Sequence, residues 1–160
     1  MRGVAAMKVI TSSTQIARAP REVFDYVSDA ARLHEWQPSV QEAGVEPPGV
    51  RQVWMRGYEV RNVPGGKQKI RWEVTECEPG SRWAIEGIEG PVRAHVVISL
   101  TPSDGTDTLV EYRIQFEGRG IGKLIGLMAT RGARTEVPAS LALLKQRLES
   151  SDRTLPAGSL

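Results

Sequence analysis

The sequence predicts an α+β domain: a curved antiparallel sheet of about seven strands around a long C-terminal helix, with two short helices after the first strand. Three observations predict it. Between residues 40 and 117, stretches of alternating apolar and polar residues are separated by Pro/Gly turns, the pattern of a meandering antiparallel sheet. Over residues 123–149, Leu124, Leu127, Met128, Leu141, Leu144 and Leu148 recur at helical spacing. At 1.5 Å per residue such a helix spans roughly 40 Å, more than the width of a small sheet, so it must lie across one.

Each element follows in order. Residues 8–17 are rich in β-branched types and read as the first strand. Ala19 and Pro20 end it, and Pro20 suits the first turn of a helix through Val23, Phe24 and Val27. Ser28 and Asp29 offer caps for a second short helix over 30–35. Strands are expected over 40–45, 51–60, 68–78, 82–88, 92–100 and 108–117, with turns at 47–49, 64–66, 79–81, 90–91 and 102–107. Alternation is clear in Ile70/Trp72/Val74, Val96/Ile98/Leu100 and Val110/Tyr112/Ile114/Phe116, so one face is covered. The other phase carries Arg71/Glu73, Arg93/His95 and Glu111/Arg113/Gln115 and is wet. Glycines 118, 120, 122, 126 and 132 predict an irregular entry to the last helix, and Pro138 predicts a kink or restart near Thr135 or Glu136. The expected organisation is a flexible N-terminus over 1–7, one folded domain over 8–149, and a disordered tail over 150–160.

Composition bounds the function. Charged residues make up 25% and apolar residues 40% of the 160-residue chain, ordinary for a globular domain. A net charge of +2, without a basic stripe, argues against a nucleic-acid partner. Cys77 is the single cysteine, which fits a reducing, cytoplasmic setting. No apolar run reaches the ~20 residues that span a bilayer, so no integral membrane segment is expected. Residues 1–7 lack the apolar core of a signal peptide.

No phosphate-binding loop, dinucleotide fingerprint, HExxH or paired CxxC occurs, and two histidines with one cysteine make a metal site improbable; no metal or cofactor is expected. His34 reads as a partly exposed helix histidine and His95 as solvent-facing. A long helix held by a curved sheet can leave a hollow, and aromatic residues facing it would orient an apolar guest. Trp72 and Tyr112 share the covered phase with Val74, Ile98 and Ile114, and Tyr26 and Thr14 complete the expected lining from the N-terminal elements. Leu127, Met128 and Arg131 are placed on the helix face turned toward the sheet. Ser12, Thr14, Glu76, Tyr112 and Arg131 are the candidate polar groups. Trp36 reads as a packing anchor, and no acid/base pair is forced by the spacing. The glycine-rich 118–132 segment is a candidate gate, with close backbone packing as the other explanation of its glycines.

The order of elements is a helix-grip arrangement, and particular residues carry a resemblance. They are the Ile16–Ala17–Arg18–Ala19–Pro20–Arg21–Glu22–Val23–Phe24 run with Val27 and Asp29, then Leu33–His34–Glu35–Trp36. Trp72–Glu73–Val74–Thr75–Glu76–Cys77–Glu78–Pro79–Gly80 and the closing Leu143–Leu144–Lys145–Gln146–Arg147–Leu148–Glu149 complete it. On these residues the chain resembles the START-like (SRPBCC) superfamily, in its polyketide cyclase/dehydrase and lipid-transport branch. The resemblance implies that a small apolar or amphiphilic molecule, lipid- or polyketide-like, binds between sheet and C-terminal helix. The protein then acts as carrier or sensor, as a monomer or homodimer. It also implies two alternatives: a polyketide cyclase, aromatase or dehydratase acting in the same cavity, or a protein-interaction domain without ligand.

Overall fold

The computed structural model describes residues 5–49 and 51–150. In chain order the elements are β1 (Ala5–Ala6), β2 (Ile10–Ile16), α1 (Pro20–Val27), a 3-10 turn (Ala30–Arg32), α2 (Leu33–Trp36), β3 (Val40–Val45), β4 (Arg56–Val63), β5 (Gly66–Glu78), β6 (Arg82–Gly87), β7 (Val92–Ser103), β8 (Asp107–Gly118) and α3 (Gly122–Ser150). The strands form one eight-stranded antiparallel sheet in the order β1-β8-β7-β6-β5-β4-β3, with β2 also on β8. β1 and β2 occupy successive stretches of the same edge, Ala5 opposite Gly118 and Ile16 opposite Thr108. The expected fold class holds.

Local chemistry explains the N-terminal elements. Pro20 starts α1, whose Val23, Phe24 and Val27 are buried. Ser28 closes it by returning both its N–H and its hydroxyl to the Phe24 carbonyl. Asp29 caps the 3-10 turn by accepting from the Ala31 N–H at 3.0 Å. Leu33 and Trp36 of α2 then turn inward.

Four expectations change. Ala5 and Ala6 pair with β8 and Met7 is buried, so ordered chain begins before residue 8. The remainder of the expected flexible terminus, residues 1–4, and the tail beyond residue 150 lie outside the described residues. β4 starts at Arg56 rather than 51, the preceding residues forming turns, and Trp54 stands 72% exposed there with φ +73°. α3 runs unbroken through Pro138. Pro138 is exposed, and so is Arg134, whose carbonyl loses the helical N–H that proline lacks; water can serve it, so the helix continues. The entry to α3 is tight, not loose. A Cβ on Gly118 would strike the Gly122 carbonyl, and one on Gly122 would strike the Pro91 carbonyl. At Gly118 and Gly122 the missing side chain permits this close backbone approach.

α3 rests on β2, β8 and β7. Its buried stripe is Gly122, Gly126, Thr130, Ala133, Val137, Ser140, Leu141, Leu144 and Leu148. The first half of that stripe is small and the second half large. The core cluster includes Ile16, Val23, Phe24, Trp36 and Val110 together with Leu141 and Leu144 of that second half.

Candidate functional site

Strand register lays out the concave face in rows, because directly paired residues share a face. One row runs Ile10, Ile114, Val96, Ile85 and Val74 across β2, β8, β7, β6 and β5. The row nearer α2 places Ser12, Tyr112, Ile98 and Trp83 side by side. Phe116 is paired with Ala94, and Trp72 with Gly87 and Gly57. The small neighbours are required there: a Cβ on Gly57 would fall inside the Trp72 ring. Ile10, Ile70, Ile85, Ile114 and Phe116 are only half-buried, an apolar set in the same phase as buried Trp72 and Tyr112.

The expected lining residues divide into three groups. Trp72, Tyr112, Val74 and Ile98 are buried on the concave face, and Ile114 and Thr14 are half-buried in the same phase; these six share one face of the sheet, with Thr14 in the row of Val110, distant from Trp72. Tyr26 sits apart, on α1: its hydroxyl donates to Glu35 and Arg32 lies 5.1 Å over its ring. Burial and that carboxylate push its pKa up to about 12. Leu127, Met128 and Arg131 are exposed on the outward face of α3, which corrects the helical phase. The front half meets the sheet through glycine, threonine and alanine, and the larger side chains cannot fit where backbones approach so closely.

Glu76 is also redirected. A β-bulge between Val74 and Glu76 shifts the register, and Glu76 instead accepts from Arg82 Nε at 2.7 Å while Cys77 pairs with buried Trp83. His34 is exposed, and His95 lies between Glu86 and Glu117 at 3.7 and 3.3 Å. Trp36 is fully buried and meets Tyr112 edge-on at 6.2 Å, and Trp83 meets Phe24 edge-on at 6.1 Å.

The groups that sequence reasoning missed are Glu59 and Arg61. They share the concave phase of β4 with Gly57, so two charges point inward. Glu59 is 6% exposed and bonds Arg61 Nε. Arg61 Nη1 donates to Ser39 Oγ at 2.6 Å and to Glu136 Oε2 at 2.7 Å, and Nη2 donates to Gln37 Oε1. Glu136 also accepts the Ser39 N–H at 3.0 Å. One guanidinium thus ties the α2–β3 connection to β4 and to the middle of α3. Burial works against its charge, but Glu59 and Glu136 outweigh it and hold its pKa above the ordinary arginine value. Burial pushes the Tyr112 phenol up as well, against the opposing pull of Arg61. A signal existed: Gly57/Glu59/Arg61 alternates as strictly as the neighbouring apolar strands. Charge at those positions reads as the wet face until the partners on α2 and α3 are known.

Two donors stand out. The indole N–H groups of Trp36 and Trp72 are buried without a hydrogen-bond partner among the described residues. Two surface depressions lie away from the concave face. One of about 470 Å³ is lined by residues including Asp25, Tyr26, Arg51 and Arg147, and one of about 180 Å³ by residues including Glu86, Arg93 and Arg119. Among the described residues no cluster of His, Cys, Asp or Glu is arranged to hold a metal ion, and no helix is long and apolar enough to cross a membrane.

Sheet, gripping helix and concave apolar face define a START-like protein. Residues 7–149 match the family described as "Polyketide cyclase / dehydrase and lipid transport", and the chain belongs to that family. An uncharacterized protein of Mycobacterium tuberculosis is 24% identical over 136 residues, 84% of this chain and 94% of the relative. The Zhui aromatase/cyclase of a Streptomyces species superposes with a TM-score of 0.80 at 12% identity, covering 95% of this chain and 99% of that one. A START superfamily protein of Mycobacterium smegmatis superposes with a TM-score of 0.71 at 14% identity, covering 93% and 99%. At these identities the two structures establish the shared fold.

Proposed function

We propose that the concave face binds one small apolar or amphiphilic molecule and that the protein is its carrier or sensor. The observation that carries this reading is the half-buried wall of Ile10, Ile85, Ile114 and Phe116 beside Trp72, whose buried indole N–H has no acceptor among the described residues. An apolar wall with a few fixed polar groups is what an amphiphilic guest requires, and a carbonyl or hydroxyl oxygen would satisfy the orphan donor. The test is titration with a fluorescent long-chain fatty acid, monitored by energy transfer from tryptophan. Saturable one-to-one binding is expected, with roughly tenfold weaker affinity in Ile114→Arg, which puts a charge in the apolar wall. Affinity unchanged in that variant would exclude the concave face as the site. Leu124→Asp, on the outward face of α3, serves as the control and leaves the affinity as it is.

A second reading, cyclisation or dehydration of a polyketide-like chain, is favoured by the inward Arg61 near Tyr112 and by the fold shared with the Zhui aromatase/cyclase of Streptomyces. Against it, Arg61 donates four hydrogen bonds to protein acceptors, which leaves one of its five N–H groups for a substrate. That arrangement suits a structural clasp better than a group held ready for an enolate. Turnover of a poly-β-ketone surrogate, lost in Tyr112→Phe with fatty-acid binding intact, would establish the enzyme.

A further inference from the structure

The front half of α3, with Ile121 of the turn just before it, carries an apolar face that the fold leaves uncovered. Ile121 is 74% exposed, Leu124 61%, Ile125 44%, Leu127 59% and Met128 53%. With about 3.6 residues per turn, these five centre on the side opposite the buried Gly122, Gly126, Thr130 and Ala133 stripe, so they point directly away from the sheet. They cannot serve the concave face without turning the helix over. Residues 118–135 also hold Arg119, Lys123, Arg131 and Arg134, all exposed, and no acidic residue. The whole chain has a net charge of +2 and this segment alone contributes +4, leaving −2 for the remainder.

We propose that this face of α3 docks on the surface of an anionic lipid bilayer, with the helix lying in the interfacial plane. Glu117 and Glu136, just outside this segment, are engaged with His95 and Arg61, so the charges beside the exposed aliphatic residues over 118–135 are all cations, the pattern of an interfacial helix. Charge complementarity selects the occupant. A second copy seated on the same face would bring two sets of four cations together, which is repulsive. A protein partner calls for aromatic anchors, and this face has none: its apolar residues are Ile, Leu and Met, which a bilayer accepts at any rotation. Small residues under this half leave the helix close to the body of the domain, so the apolar side chains are its outermost layer. The proposal does not depend on whether the concave face takes a guest.

Vesicle cosedimentation of the full chain tests it. Binding is expected to phosphatidylcholine vesicles containing about 30% phosphatidylglycerol, to weaken severalfold at about 0.5 M NaCl, and to be slight on phosphatidylcholine alone. Leu124→Asp/Leu127→Asp should lower it roughly tenfold or more, and Arg131→Gln/Arg134→Gln about twenty-five-fold, taking about fivefold per cation. All four positions are exposed, so both variants should keep the wild-type circular dichroism, and a changed spectrum passes the test to Leu124→Ser/Leu127→Ser, with the same expected loss. Equal binding by wild type and variants, no preference for the anionic vesicles, or no binding at all would overturn the proposal. So would a concentration-dependent dimer that Leu124→Asp dissociates, since the face would then belong to a second copy.

Discussion

Replacing Arg61 by methionine tests the clasp at the centre of the candidate site. Methionine keeps much of the arginine stem volume and deletes the charge. Four hydrogen bonds are lost, two of them to carboxylates. Glu59 is 6% exposed and Arg61 is its one hydrogen-bond partner among the described residues, so the variant leaves a buried carboxylate uncompensated. Removing one member of a buried ion pair costs about 3–5 kcal/mol. For a chain of this size each kcal/mol moves Tm by roughly 2–4 °C, so a fall of about 6–20 °C is expected. The companion variant Glu59→Met/Arg61→Met removes both charges together. It should recover much of the loss, because apolar replacement of a whole buried pair is often near neutral. Glu136→Gln is milder, about 1 kcal/mol, since that side chain is 28% exposed and keeps the Ser39 N–H as a partner. Urea and thermal unfolding followed by circular dichroism provide the three numbers. An Arg61→Met loss below about 1 kcal/mol, or a double variant no better than the single, would refute the buried pairing.

Three further outcomes are expected. The chain has three tyrosines, and Tyr26, Tyr58 and Tyr112 all titrate above the ordinary value, Tyr26 at about 12. Absorbance titration should therefore show little tyrosinate at pH 10; because the folded pKa values are raised, their stability contribution is complete below pH 10 and is lost as pH rises beyond it. Half-ionised tyrosine in the folded protein at pH 10 would contradict the arrangement. Leu144→Ala, at a fully buried site, should cost about 2–5 kcal/mol, whereas Leu124→Ala, 61% exposed, should stay within about 0.5 kcal/mol; equal losses in urea unfolding would mean that the helix phase is wrong. Amides over 123–132 should exchange hydrogen faster than those over 141–148, since small side chains anchor the front of α3 and leucines the rear; uniform protection along the helix would remove 118–132 as a candidate gate.

What could be read in advance was whatever the chain encodes at its own period. Alternation in β5, β7 and β8 placed Trp72, Val74, Ile98, Tyr112 and Ile114 on the concave face, and the structure keeps them there. Pro20, Ser28 and Asp29 announced the short helices through local stereochemistry. Local period misled wherever tertiary packing reverses its usual meaning. On the front of α3 the apolar phase is Leu124/Leu127/Met128, yet the fold buries the glycine phase, because Gly118, Gly122 and Gly126 are pressed against Gly122, Pro91 and Met7. At Glu76 a single bulge changed the facing of every residue after it.

Sequence alone determined most of the elements, their order, the concave apolar rows and the family, though not β1 or the start of β4. Tertiary structure decided which charges are internal and which hydrophobes are external. Glu59 and Arg61 are buried only because Gln37, Ser39 and Glu136, distant along the chain, converge to satisfy them. Ile121, Leu124, Ile125, Leu127 and Met128 are exposed only because α3 can approach the sheet through its smallest residues. Both outcomes depend on contacts between remote segments, which no local pattern of residue types contains.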